Sequence, residues 1–306
     1  MKVSIIGAGQ VGSMVAMRMI ESSLSDVTLV DIQKGMPQAK ALDLLQAAPI
    51  IGHNRRVVGT DDYSQIEGSG LVVITAGLPR KPRMTREGLL LANAEIVKDV
   101  LERIVKYSPD CIILVVTNPL DAMTYLTLKL SGLEPSRVFG MGGILDSARF
   151  SFFLSIELGD IASGEISSLV VGAHGETMIP LPRYTKAKGK PITELLPMEK
   201  IDHVIERTRR AGDEIVAGLG KGSAYFAPSA SIYAMARSII RDEKKVFPCS
   251  CYLQGQYGLN DIYLGAPARI GRKGVEEIIE LDLDPTELDA LRRSAEAIRK
   301  SISKII

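Results

Sequence analysis

Cysteine is scarce in this chain: Cys111, Cys249 and Cys251 are the only thiols in 306 residues. Three thiols cannot build a disulfide framework, and Cys111 opens an apolar stretch where a thiol is expected simply to pack. A reducing, cytoplasmic setting is therefore expected. Net charge is also nearly missing. Lys and Arg number 37 against 36 Asp and Glu, a formal charge of +1, which argues against a broad nucleic-acid or anionic-membrane surface. No apolar stretch approaches the roughly 20 residues needed to span a bilayer. Lys2 runs directly into VSIIGAG, without a leader-like apolar segment or a small-residue cleavage site. Internal repeats and low-complexity linkers are lacking as well. What remains is a chain long enough to bury a large core in two rigidly joined lobes of one enzyme-sized unit.

The first half is rich in short Val/Ile/Leu runs that alternate with helix-length segments: VSIIG (3–7), VTLVD (27–31), RVVGT (56–60), LVVIT (71–75) and CIILVVTN (111–118). Continuous rather than alternating apolar strands imply a sheet covered on both faces, hence an α/β, Rossmann-type doubly wound parallel sheet. The segment 95–107 predicts a covering helix with Ile96, Val97, Val100, Leu101, Ile104 and Val105 on one face. Another helix is expected over 120–131, begun after Asn118-Pro119 and ended near Gly132. Past about residue 140 the rhythm changes to longer helical patterns at 144–158, 199–218 and 224–241, between Gly/Pro-rich strands. We expect a dinucleotide-binding domain over 1–140 and a mixed α+β substrate domain over 141–306. Near the end, Asp284, Pro285 and Glu287 spell a capping box for a final helix.

IIGAGQVGS places Gly7, Gly9 and Gly12 in GxGxxG spacing. The bare pattern is weak, but here it ends an apolar strand, opens a helix and is followed by Asp31 at the end of the second strand. Gly7 allows a tight turn, Gly9 lets the backbone approach a pyrophosphate, and Gly12 permits close helix packing. A carboxylate at Asp31 would accept hydrogen bonds from ribose hydroxyls and repel a 2′-phosphate, which favours NAD over NADP. Lys34 lies near enough in sequence to leave some tolerance of NADP open.

In the second half, Asp146 and Arg149 sit three apart in a helical segment, on one face. His174 follows a buried-looking strand between Gly172 and Gly175. Of the three histidines, His53 lies in a polar turn and His203 in an amphipathic helix, so His174 alone has catalytic-looking surroundings. An intrahelical ion pair and a structural histidine would give the same local pattern. If the fold brings Asp146 to His174, the carboxylate would fix the imidazole tautomer and favour its protonated form, giving a tuned acid/base.

GAGQVGS, VDIQKGMPQAKALDL, TAGLPRKPRMTR, VVTNPLD, GILDSARF, GAHGETMIP and KGSAYFAPSAS run in order along essentially the whole chain. Together they resemble the lactate/malate dehydrogenase family, on its lactate-dehydrogenase-like malate dehydrogenase branch. The resemblance implies that His174 exchanges the substrate proton with Asp146 as partner, and that Arg149 clamps the carboxylate beside the reacting carbon. It also implies that Asn118 hydrogen-bonds the reacting oxygen and that Arg86 arrives on a mobile loop to polarise the carbonyl. NAD would further contact Gln10, Val11, Thr75, Ala76, Gly77, Asn93, Val116 and Asn118. No metal is called for, and a homodimer or homotetramer is expected, an arrangement that the 46% hydrophobic content permits.

The segment Gly77 to Gly88 gathers Arg80, Lys81, Arg83 and Arg86. By resemblance, Arg80 reads the far end of the substrate, where lactate enzymes carry glutamine. A buried guanidinium without an anion is costly, so Arg80 favours a second carboxylate and a small dicarboxylate substrate, malate or oxaloacetate. A charge pair worth ~4 kcal/mol corresponds to about a thousandfold preference. Arg83 departs from the pattern, which has glycine there. By the same resemblance, Ser223 and Ala224 stand where lactate enzymes carry a larger hydroxylated pair, which would leave room for the extra carboxylate. The competing readings are another 2-hydroxyacid dehydrogenase, lactate included, and a non-catalytic dinucleotide-binding protein.

Overall fold

The structure, a computed structural model, describes residues 1–79, 84–220 and 222–306. Its first half runs β1 (Val3–Ile6), α1 (Gln10–Glu21), β2 (Val27–Val30), α2 (Met36–Gln46), the single turn α3 (Ala48–Ile51), β3 (Val57–Thr60), β4 (Leu71–Ile74), α4 (Arg86–Tyr107), β5 (Ile112–Val115), α5 (Leu120–Ser131) and β6 (Val138–Gly140). These six strands lie parallel in the order β6-β5-β4-β1-β2-β3. The reversal of strand order between β1 and β4 marks the crevice where doubly wound sheets bind their ligands.

Why continuous apolar strands were the right signal is visible in their packing. In β4, Leu71 and Val73 join one core cluster, while Val72 and Ile74 join another on the opposite face. In β5, Ile112 and Leu114 divide from Ile113 and Val115 in the same way. A strand with water on one face would have needed alternation.

The second half continues with α6 (Gly143–Leu158), five two-residue strands β7 (Ile166–Ser167), β8 (Val170–Val171), β9 (Ile179–Pro180), β10 (Lys186–Ala187) and β11 (Lys190–Pro191), the turn α7 (Ile192–Leu195), α8 (Met198–Leu219), α9 (Phe226–Arg241), β12 (Lys245–Gln254), β13 (Asn260–Gly271), β14 (Gly274–Ile278) and α10 (Pro285–Ile302). The two halves share a sheet. β12 pairs antiparallel with β6 through Ser250 and Gly140, and β13 and β14 follow, so that nine strands are continuous. They share a core too, since Ile232, Met235 and Ile239 of α9 pack in one cluster with Ile5 and Leu29. Arg18 of α1 donates from Nε to Ser229 Oγ of α9 at 3.0 Å.

Two expectations are corrected. The covering helix begins at Arg86, not near 95, because Thr85 caps it by accepting a hydrogen bond from the Gly88 N–H at 3.0 Å. Arg86 is thus the first residue of a helix and not a loop residue. Val105 is exposed while Val97, Val100, Leu101 and Ile104 are buried, since the helix turns it away from the sheet. His53 lies in the turn after α3 as expected and is buried there, its Nδ1 accepting from the Arg55 N–H at 3.3 Å. The final helix carries the expected reciprocal cap between Asp284 and Glu287.

One close approach holds the strand end before His174. Gly172 and Gly265 exchange backbone hydrogen bonds of 2.9 and 3.0 Å, and a Cβ on Gly265 would run into the Gly172 carbonyl oxygen. Gly265→Ala is expected to cost about 1–3 kcal/mol by overpacking and to lower turnover as well as melting temperature. Thermal melts with parallel activity assays check this, and a variant with wild-type values of both would contradict it.

Candidate active site

Four strand ends of the parallel sheet carry the residues expected to bind the dinucleotide. Gly7 follows β1 with φ 106°, a conformation that favours glycine, and a Cβ there would lie 2.7 Å from the Ala76 nitrogen. A Cβ on Gly12 would run into the Gly7 carbonyl oxygen, so α1 packs against the β1 turn only because neither residue has a side chain. Gly9 differs: a Cβ there would meet nothing within 4 Å, and it precedes α1, whose N-terminus has no side-chain cap. The first N–H groups of a helix have no intrahelical acceptor and attract anions, so Gly9, Gln10, Val11 and Gly12 form a cradle that fits a pyrophosphate.

Asp31 ends β2 and is pinned there. Its carboxylate accepts from the Ala8 N–H at 2.7 Å and from the Gln33 N–H at 3.0 Å. Lys40 donates to the Ala8 carbonyl at 2.6 Å, and burial lowers its pKa against the pull of Asp31. After β4, Thr75 Oγ1 lies 2.9 Å from the Gly7 carbonyl oxygen, followed by Ala76 and the exposed Gly77. After β5, the Val116 N–H donates to the Ile74 carbonyl at 2.9 Å and Asn118 is exposed at the sheet edge. Asn93 is buried beneath both turns. Its amide nitrogen donates to the carbonyls of Leu78 at 3.2 Å and Asn118 at 2.7 Å, while its oxygen accepts from the Leu78 N–H at 2.7 Å. It acts by fixing the backbone of the turns.

The second half supplies the titratable centre. His174 Nδ1 lies 2.8 Å from Asp146 Oδ2, and Asp146 is 1% exposed. A carboxylate only accepts, so Nδ1 carries the proton and Nε2 is left for exchange. Burial lowers the imidazole pKa, but the Asp146 charge and hydrogen bond outweigh it, and the net shift is upward. One helical turn along α6, Arg149 NH1 stands 3.6 Å from Asp146 Oδ1. Burial lowers the guanidinium pKa. Neither Asp146 Oδ1 nor Arg149 Nε has a hydrogen-bond partner among the described residues. A half-buried guanidinium with an unused, buried Nε donor matches the needs of a ligand carboxylate.

Sequence reasoning missed two participants. Asp121, in the first turn of α5 and 2% exposed, accepts from the His174 backbone N–H at 2.8 Å and from Ser250 Oγ at 2.6 Å. Its only sequence signal was an acid shortly after Asn118-Pro119, which reads as an ordinary helix-start residue. Glu176 forms a two-point ion pair with Arg86, with NH1 donating to Oε2 at 2.9 Å and NH2 donating to Oε1. The structure thus ties Arg86 to the segment carrying His174. Arg80, Lys81 and Arg83 lie outside the described residues.

Family models for the lactate/malate dehydrogenase NAD-binding domain and for the lactate/malate dehydrogenase alpha/beta C-terminal domain match residues 1–140 and 144–306. The malate dehydrogenase of Methanosarcina mazei is 48% identical over 304 residues, covering 99% of each chain. The malate dehydrogenase structure from Cryptosporidium parvum superposes with a TM-score of 0.97 at 41% identity, over 99% of this chain and 98% of that one. The lactate dehydrogenase of the same organism, complexed with lactic acid and cofactor, gives 0.96 at 38% identity, over 99% of this chain and 97% of that one.

A raised imidazole pKa has a definite sign in stability. The contribution is fully present below the ordinary value of about 6.5 and is lost as pH rises through the folded-state value. The melting-temperature advantage of the wild type over His174→Asn is expected to shrink between about pH 6 and about pH 9. Calorimetry across that range measures it, and a constant difference would refute the Asp146-stabilised imidazolium.

Proposed function

The chain belongs to the lactate/malate dehydrogenase family, and we propose that it catalyses the reversible oxidation of (S)-malate to oxaloacetate with NAD through His174. The observation that carries this reading is the buried His174–Asp146 pair beside Arg149, joined through Asp121 to the strand-end turns that fit a dinucleotide. Bound NAD supplies the hydride acceptor at those turns.

The side chains present divide the remaining work. In the oxidation direction neutral His174 takes the hydroxyl proton at Nε2, and Asp146 stabilises the imidazolium that results. In reduction the imidazolium returns the proton to the carbonyl oxygen. Arg149 holds the carboxylate beside the reacting carbon, where two parallel N–H bonds fix orientation as well as charge. Asn118 reaches the reacting oxygen from the β5 turn. Arg86 polarises that oxygen, which requires it to exchange Glu176 for the substrate.

Preference for a dicarboxylate is assigned to Arg80. The fold itself does not discriminate, because malate and lactate dehydrogenases both superpose on it closely. By the resemblance, arginine in place of glutamine does, since a guanidinium brought to the substrate without a second carboxylate to pair it is costly. The full-length relatives named malate dehydrogenase support the same choice.

We further assign a homodimeric or homotetrameric state and a cytoplasmic location. The exposed apolar side chains of Leu42, Leu45, Ile50 and Ile51 along α2 and α3 support self-association. Among the described residues no helix is long and apolar enough to cross a membrane.

NADH oxidation followed by absorbance is expected to be at least about a hundredfold more efficient with oxaloacetate than with pyruvate, and Arg80→Gln to erase most of that ratio. His174→Asn should retain NADH binding and lose nearly all turnover. Faster pyruvate reduction by the wild type would move the assignment to a lactate dehydrogenase.

A further inference from the structure

Asp121 is the buried carboxylate for which the family resemblance assigns no task. It sits in the first turn of α5, three residues after Asn118, and receives the His174 N–H on one oxygen and the Ser250 hydroxyl on the other. Both contacts come from donors, the pattern that suits an ionised carboxylate. Holding a loop by its backbone N–H does not require a charge, because a neutral amide or hydroxyl oxygen would accept the same bond. A buried carboxylate is costly to keep charged, and two donors aimed at Asp121, one on each oxygen, offset that cost beside the imidazole.

We propose that Asp121 is a second positioning residue for the proton transfer, fixing the His174 backbone and setting the charge environment of its ring. The inference rests on the reading that His174 exchanges the substrate proton. The charged groups whose fields act on the ring include Asp146 and Arg149 from α6 and Asp121 from α5, with the Arg86–Glu176 ion pair two residues along the same segment. Two carboxylates against one guanidinium leave one excess negative charge, which the protonated imidazole neutralises. Asp121 thereby adds to Asp146 in favouring the form needed for oxaloacetate reduction, in agreement with its contribution to the raised imidazole pKa. Burial raises the Asp121 pKa, and the Ser250 hydroxyl and His174 N–H oppose that rise. A further consequence is geometric. Asn118 and Asp121 lie on one turn, so the group assigned to the reacting oxygen and the backbone of the proton donor are set by the same few residues.

The test is the pH profile of kcat/KM for oxaloacetate reduction, with NADH binding measured alongside. Asp121→Asn is expected to bind NADH normally, to lose about tenfold or more in kcat at neutral pH, and to shift the alkaline limb downward by on the order of one pH unit. Ser250→Ala, which withdraws one donor from Asp121 and weakens the hold on its charge, should move the limb in the same direction by less. A limb unmoved in Asp121→Asn overturns the proposal even if kcat falls, since a purely structural residue would behave so. Should Asp121→Asn fail to fold, an unmoved limb in Ser250→Ala overturns it instead. Wild-type protein inactive on oxaloacetate would sink the functional reading itself, a separate outcome.

Discussion

The hydrogen bond between His174 and Asp146 is the contact on which the active region depends. Asp146 lies almost wholly out of water, and a carboxylate there is tolerable only beside positive or donating groups. His174 supplies a ring N–H at 2.8 Å and Arg149 supplies charge at 3.6 Å. Each partner answers two demands at once, since the groups that make the buried acid tolerable are those assigned to the substrate. Removing either leaves an unbalanced charge, so stability and activity are coupled here.

Around that contact the backbone does much of the positioning. Glycine at positions 7 and 12 lets a helix start press against a strand end, which brings the uncapped end of α1 to the sheet edge. Asn93 repeats the principle with a side chain, joining the turns after β4 and β5 through three hydrogen bonds. Gly172 and Gly265 repeat it within the second half. The groups expected to act on substrate are few, and the groups that hold them rigid are mostly main chain and small residues.

Much of this was legible in the sequence because it is local. Apolar strand runs, the glycine spacing with Asp31 at the next strand end, and the Asp284–Glu287 cap each lie within a short stretch whose physics is self-contained. Asp146 and Arg149 share a helix face and could be paired on spacing alone. Their meeting with His174, 28 residues on, required the resemblance. Asp121 and Glu176 were missed because their partners are 53 and 90 residues away, and neither carries a local mark of its role. The early start of α4 was missed for a different reason: a threonine cap outweighed a segment whose composition reads as a basic loop.

The sheet that runs unbroken from β3 to β14 also sets how the molecule can come apart. An excised first half would present the free edge of β6, with its backbone groups unpaired, and the apolar face that α9 covers, both matched only by later sequence. Residues expected to bind the nucleotide and residues expected to handle the proton are therefore carried on one continuous sheet, and the β6 edge of the first half is paired only once β12 has joined it.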